Sequence, residues 1–466
     1  MLRMIFVFTL TFTLFMAKST AASSPPYADT PWPATHADSS NSASINFPLP
    51  TKLEIAWEIL KDRAIVQAAT IGPNGLMYAT SGQGRGHSHL TAFDRSGRII
   101  WQAPEYKTSD DLDSFAILSA PVIDDQGDIY LCDSNQIWAF HGDGAVKWIA
   151  PLPADSKSCL SVQFIDSALI AVTGDGIIIA HRRNDGTPAA QPLQLPVQSS
   201  YRGNTFDRLP NRVMPGYWGT DPEIIQEVVA VFLGLRWPIT NTPAVHPQRP
   251  RIYISAPDMD GTSSIFAVDL DLEQGEFSIA FRSDLKRQGS ASSPTVSPDG
   301  SRVYVADGSN AMAAIDAVDG RILWNVDTPN VIPIVSSPSV GADGTIYVTA
   351  GGVIAMRSDG MILWRRSFAD ASPSQADSVV TAGPNALYVV VLEGGLAYYN
   401  LRQPQAKFYV LNPETGENLS DPVALSHSSE AYITVDNQGW AYITHLGWGT
   451  NEPGGGGVTA LKPVTD

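Results

Sequence analysis

The sequence predicts an all-β fold: an eight-bladed β-propeller with four-stranded antiparallel blades, closed by pairing its N- and C-terminal strands. Three observations predict it. One phrase recurs eight times along the chain. The runs inside the phrase are short, alternating and rich in Val, Ile and Tyr. The last phrase is cut short at the C-terminus, and its missing run stands near the N-terminus.

The phrase is clearest at Ser293-Pro294-Thr295-Val296-Ser297-Pro298-Asp299-Gly300. It continues through Val303-Tyr304-Val305, Ala314-Ile315-Asp316 and Asp319-Gly320-Arg321-Ile322-Leu323-Trp324. The third-run alanine recurs at Ala92, Ala139, Ala180, Ala267, Ala314, Ala355 and Ala460, with Val410 in the remaining copy. A tyrosine recurs at Tyr78, Tyr130, Tyr253, Tyr304, Tyr347, Tyr388 and Tyr442, with Ile170 in its place once. Runs of this length and composition, flanked by Gly, Asp or Asn, read as strands. Four such strands make a copy too small to bury a core alone, so each must pack on its neighbours. The final copy stops at Ala460-Leu461-Lys462, and Leu53-Glu54-Ile55-Ala56-Trp57 supplies its fourth run. Closing the ring in this way removes its open sheet edges.

Composition bounds the rest. The chain has 466 residues, 17% charged and 44% apolar, which excludes a disordered chain or a coiled coil. A formal charge of −17 argues against unaided binding to nucleic acid or anionic lipid. Residues 1–22 read as a signal peptide: Arg3, an apolar stretch from Ile5 to Met16, then small residues at Ser19 to Ala22. The mature protein is therefore expected to be periplasmic or secreted. No cysteine precedes Cys132, so no N-terminal lipid anchor is expected, and no apolar run is long enough for a membrane span. Residues 23–52 read as a strap, expected along the outside, and 53–466 as the propeller. The 87-residue step from Ala180 to Ala267 marks an insertion over 188–241, with a helix at about 221–236 that begins at the capping sequence Thr220-Asp221-Pro222-Glu223.

The phrases Ala92-Phe93-Asp94-Arg95-Ser96-Gly97-Arg98-Ile99-Ile100-Trp101 and Ala314 to Trp324 resemble the docking repeat of the quinoprotein (PQQ-like) propellers. In that repeat a tryptophan wedges between blades and a small alanine leaves room for it. Carried over, Trp57, Trp101, Trp148, Trp324 and Trp364 are the docking residues. Copies at Ala180, Ala267 and Val410 lack the tryptophan. The resemblance implies either a periplasmic scaffold for assembling outer-membrane proteins or a dehydrogenase holding pyrroloquinoline quinone and Ca²⁺ in its funnel. The chain departs from both branches. Its cysteines, Cys132 and Cys159, are not adjacent as in the alcohol dehydrogenases, and the scaffold's lipidation cysteine is missing. A Cys132–Cys159 disulfide suits an oxidising compartment, where closing such a loop stabilises by roughly 3 kcal/mol; two buried thiols are the alternative.

Candidate site residues fall on the face that carries the second-to-third-strand loops and the blade connectors. They are Arg85, His87 and His89 in blade 1, Glu393 and Arg402 in blade 7, and His427, His445, Trp448 and Glu452 in blade 8. Ring closure makes blades 8 and 1 neighbours, so His87, His89 and His445 are candidates for a metal or acid–base cluster, against a plainer reading as polar loop residues. No nucleophile, base and orienting partner can be assembled from spacing. The leading expectation is recognition of a ligand or protein partner at this face without chemistry. The alternatives are a quinone- and Ca²⁺-dependent oxidoreductase, and a metal-assisted hydrolase or lyase using the histidines.

Overall fold

The computed structural model describes residues 26–84, 87–104, 111–154, 156–197, 242–257, 263–285, 292–306, 311–328, 336–349, 352–368, 379–393, 405–426, 432–446 and 456–464. These form eight four-stranded antiparallel sheets arranged as an eight-bladed propeller. Seven blades are built from strands consecutive in sequence. The eighth combines Ile433–Val435, Ala441–Leu446 and Gly456–Pro463 with Leu53–Ile59 from the other end of the chain. In that closing pair Trp57 stands opposite Ala460 and Leu53 opposite Pro463. The expected signal peptide over residues 1–22 and the expected helix at about 221–236 lie outside the described residues. Among the described residues no helix is long and apolar enough to cross a membrane.

The repeat has a direct structural meaning. In every blade the recurrent tyrosine of the second strand stands opposite the recurrent alanine of the third, from Tyr78 and Ala92 to Tyr442 and Ala460. The two substituted copies keep the register, with Ile170 opposite Ala180 and Tyr388 opposite Val410. Across the alanine from the tyrosine stands the tryptophan: Trp101 opposite Ala92, Trp148 opposite Ala139, Trp324 opposite Ala314 and Trp364 opposite Ala355. Directly opposed residues share a face, so the alanine is the gap in which the two rings approach. Their centroids lie 5.7 Å apart in blade 1, 5.9 Å in blade 2 and 6.0 Å in both blades 5 and 8.

Each tryptophan then docks on the next blade. Its indole N–H donates to a carbonyl in the neighbour's third-to-fourth-strand turn: Trp57 to Arg95, Trp101 to Gly142, Trp148 to Arg183, Trp324 to Ser358 and Trp364 to Pro413. The ring lies over a turn glycine with φ of 72–90°, and a Cβ there would come within 2.7–3.0 Å of the indole at Gly97, Gly144, Gly186, Gly360 and Gly416. Positive φ and the lack of a side chain are therefore required at the same residue. Blade 4 keeps the arrangement without tryptophan, with Phe281 over Gly320 and Ser283 donating to the Gly320 carbonyl. Blade 7 has no such turn to dock on, because the third and fourth strands of blade 8 are the two chain ends.

A second ring of contacts lies nearer the axis. Thr295, Ser339, Thr381 and Thr434 hold equivalent inner-strand positions, and each hydroxyl donates to an inner-strand carbonyl of the next blade: Pro338, Val380, Ile433 and Ala69. The last of these crosses the closing seam. There Asp436 also accepts from Tyr442 Oη at 2.9 Å and from Arg95 of blade 1 at 2.7 Å.

Cys132 and Cys159 are bonded to each other, with Cα atoms 5.8 Å apart. The bridge joins the end of the second strand of blade 2 to the start of the inner strand of blade 3, and both residues are fully buried.

Replacing Gly186 by Ala forces a left-handed alanine against Trp148. The expected loss is ~1–3 kcal/mol. Trp148→Ala should lose about 3–5 kcal/mol. Both are read as a lower urea midpoint with unchanged slope.

Candidate functional site

The inner strand of a blade is a sheet edge, and its outward backbone groups need partners. The N-terminal segment supplies them. Ile71, Ile123, Val245, Val296, Val340 and Ala382 hold the same position in blades 1, 2, 4, 5, 6 and 7. Their N–H groups donate to the carbonyls of Trp32, Pro33, Ser39, Ser40, Ser42 and Ala43 at 2.6–2.9 Å. In blade 3 the equivalent Phe164 N–H donates to Tyr27 Oη at 3.0 Å. The segment therefore does not run along the outside, as the sequence suggested. It lies in the central channel, where Trp32 is 1% exposed.

Its sequence suits that place. Ser39 to Ala43 are small enough for a narrow axis. Left-handed φ values at Ala37 (71°), Asn41 (59°) and Ala43 (47°) coil the backbone so that successive carbonyls fan out to successive blades. The Asp38 carboxylate holds the coil, accepting from the Ser40 and Ser42 N–H groups at 2.9 and 3.0 Å and from Ser42 Oγ. Burial pushes this carboxyl above its usual range, although those hydrogen bonds oppose the shift. Both ends of the segment sit at the face formed by the first-to-second-strand turns: the Pro26 carbonyl accepts from Asp125 N–H, and Leu49 N–H donates to Asn385 Oδ1 at 2.7 Å. The segment is thus anchored at both ends to the turn face. His36 lies deepest, its Nε2 3.3 Å from Ser293 Oγ and its ring edge-on to Tyr432 at 4.9 Å. Burial lowers its pKa to about 3, so it is neutral.

The opposite, loop face carries the residues chosen from sequence. Arg85, Arg402, His427, Trp448 and Glu452 lie outside the described residues. Glu393 ends the second strand of blade 7, paired with Gln405. His87 and His89 share one face of the third strand of blade 1, with His89 opposite Ser81. Burial, then the charge of Arg63, then that of His87, lowers the His89 pKa, against an opposite pull from Asp111. His445 does not join them. It is fully buried and its Nε2 lies 2.8 Å from Thr459 Oγ1, in the body of blade 8. Strand parity is the reason: Tyr442 and Thr444 face blade 1, and His445, one residue on, faces away. Among the described residues no three His, Cys, Asp or Glu side chains come together as a metal site.

A pair the sequence did not single out lies beside the disulfide. Asp113 caps the short 3₁₀ helix Ser114–Leu118 by accepting from Phe115 N–H at 2.7 Å. Its other oxygen accepts from Ser134 Oγ. Asp133 accepts from the N–H groups of Asn135 and Gln136 and from Trp138 Nε1 at 2.8 Å, and its carbonyl holds Cys159 N–H. Burial and then the nearby Asp113 charge raise the Asp133 pKa to about 6.

Comparison with known proteins places this geometry. The family model described as outer membrane protein assembly factor BamB matches residues 268–440. No curated protein matches the sequence. Among solved structures, BamB from Moraxella catarrhalis is similar at 17% identity, covering 88% of this chain and 100% of its own, with a TM-score of 0.54. A europium-containing methanol dehydrogenase is similar at 12% identity and TM-score 0.60, over 92% of this chain and 98% of its own. The quinohemoprotein alcohol dehydrogenase from Comamonas testosteroni gives 12% and 0.60, over 93% and 82%. The chain is a PQQ-like eight-bladed β-propeller.

The described residues of this PQQ-like propeller do not fit the quinone and its Ca²⁺. The disulfide is fully buried between blades 2 and 3, so it offers no exposed face for a planar ring. The axis is filled by the chain's own segment, in which His36 is a buried neutral imidazole and the buried Asn41 amide is taken up by the Thr242 and Pro294 carbonyls, so neither offers a cation to carboxylates.

Two outcomes are expected. Trp32→Ala should destabilise by about 3–5 kcal/mol. It should also speed amide exchange at Ile71 and Ile123, while Tyr78 in the second strand keeps its protection. The second concerns pH. A carboxyl with a raised folded pKa binds a proton on folding, so its stabilising share is full below the unfolded value of 3.8 and is lost as pH rises through about 6. Asp113→Asn keeps the cap and removes the neighbouring charge. Relative to the native chain it should therefore gain on the order of 1 kcal/mol between pH 4 and pH 7, read by urea titrations at each pH.

Proposed function

We propose that this protein is exported and serves as a binding scaffold, recognising a ligand or protein partner at its loop face and performing no chemistry there. The observation that carries this reading is the occupied channel. The N-terminal segment occupies the axis and is anchored at the turn face, bonded to the inner strands of seven blades. What is left for recognition is the face carrying the connectors and the second-to-third-strand loops. Function in such folds resides in loops held by a rigid frame. The family match, to a protein whose description is an assembly factor, supports a protein as the partner. A formal charge of −17 favours a partner surface that is basic or neutral over nucleic acid.

Export is tested by locating the full chain after expression in a Gram-negative host: a periplasmic product lacking residues 1–22 is expected, and a full-length cytoplasmic one overturns it. The binding face is tested with photo-crosslinking residues at Asn135 and Asp175, in the second-to-third-strand turns of blades 2 and 3, and at Asp343 and Asp299 on the turn face. Adducts confined to the first two positions are expected. Equal labelling of both faces overturns the assignment, and dye reduction after adding quinone and Ca²⁺ to the purified chain would overturn the absence of chemistry.

A further inference from the structure

We propose that the seam between blades 8 and 1, on the loop face, holds a small oxyanion (a carboxylate or a phosphate) between Arg63, Ser81 and His89. This goes beyond the binding reading above and does not depend on it.

The fold brings the three residues together by two independent routes. Ser81 and His89 stand directly opposite each other in blade 1, so their side chains share a face. Both lie three residues from a member of the row that packs on blade 2, Tyr78 and Ala92, so that face looks toward blade 8. Arg63 arrives from the connector that follows the closing strand Leu53–Ile59. The next two residues pin it at the seam: the Ala64 carbonyl accepts from Gly82 N–H in blade 1, and Ile65 N–H donates to the His445 carbonyl in blade 8, both at 3.1 Å.

Each of these side chains carries a donor that meets no acceptor among the described residues. Arg63 Nη1, Ser81 Oγ and both ring nitrogens of His89 are out of contact with solvent and have no hydrogen-bond partner among the described residues. Ser81 is 0% exposed. The ion-pair partner of Arg63 among the described residues is Asp62, at 3.9 Å and 83% exposed, while Arg63 is 17% exposed. Such a pair neutralises little of a half-buried guanidinium. Buried polar groups are ordinarily satisfied, and each exception needs an explanation. Here the missing group must accept several hydrogen bonds and carry negative charge. A water molecule supplies no charge, and a cation is repelled by Arg63. An oxyanion meets both needs, and a guanidinium offers the planar fork that carboxylate and phosphate match. Arg63 and His89 admit it by turning about their side-chain bonds. The other charged groups acting on His89 are His87, which adds to the positive field, and Asp111, which opposes it.

The test uses the full mature chain with histidine rings isotope-labelled and His89 assigned by a His89→Gln variant. Sodium phosphate and sodium acetate are titrated separately against sodium chloride at equal ionic strength and fixed pH. A saturable shift of the His89 ring signals, with the other histidines unmoved, is the expected result, and the anion that produces it identifies phosphate or carboxylate as the source. The thermal midpoint should rise with the same anion. Arg63→Met, which keeps the aliphatic stem, should abolish both effects, and Ser81→Ala should weaken binding by roughly tenfold. The proposal is overturned if His89 does not respond to either anion, if its response follows chloride equally, or if Arg63→Met binds as the native chain does. Should Arg63→Met fail to fold, the native titration and Ser81→Ala decide. A silent His89 leaves the crosslinking assignment of the loop face untouched, so the two ideas fail separately.

Discussion

The ring depends first on an indole seated between a tyrosine and a glycine, a contact made at five of its eight blade interfaces. A single blade of four short strands has two apolar faces and no core of its own. The tryptophan of the outer strand solves this by spanning the interface. Its ring rests beside the tyrosine across the alanine gap, and its N–H reaches the turn of the next blade. The contact fixes distance and angle at once, because a hydrogen bond and a ring-on-backbone contact must be met together. Repeated around the ring, it allows each wedge one orientation. The final wedge has to accept the first, which is why the closing strand carries Trp57 and why Arg95, Asp436 and Tyr442 gather at that seam.

Much of the architecture was legible because the phrase repeats wherever the geometry repeats. Tyr, Ala and Trp stand in register across three strands, so their spacing in sequence mirrors opposition in space. Blade 4 shows how far the signal stretches: Phe281 stands in for tryptophan, and a strand reading still found the blade through Tyr253 and Ala267. The closing strand was legible for the same reason, since Trp57 ends a run that belongs opposite Ala460.

The site was less legible, for physical reasons. The channel segment engages its neighbours largely through backbone carbonyls, which leave no mark on residue choice beyond small size. Asp113 and Asp133 converge through a connector, and nothing in their spacing of twenty residues announces a shared pocket. His445 was different. Counting parity from Tyr442 along the strand would have turned it away from blade 1, and grouping residues by loop alone ignored that alternation. Arg63 carried no motif and became visible only when its neighbours Ala64 and Ile65 were seen bonded to two blades.

The axial coil also bears on how such a chain can change over time. A hub gripped through main-chain atoms is blind to what the spokes carry, so a spoke that trades its tryptophan or its tyrosine still offers the same N–H to the same carbonyl. Blade 4, with Phe281 for tryptophan, still gives its Val245 N–H to the Ser39 carbonyl, and only blade 3, which has neither ring, meets the hub through the Tyr27 hydroxyl. Individual spokes can therefore drift a long way in sequence, and the wheel keeps its axle.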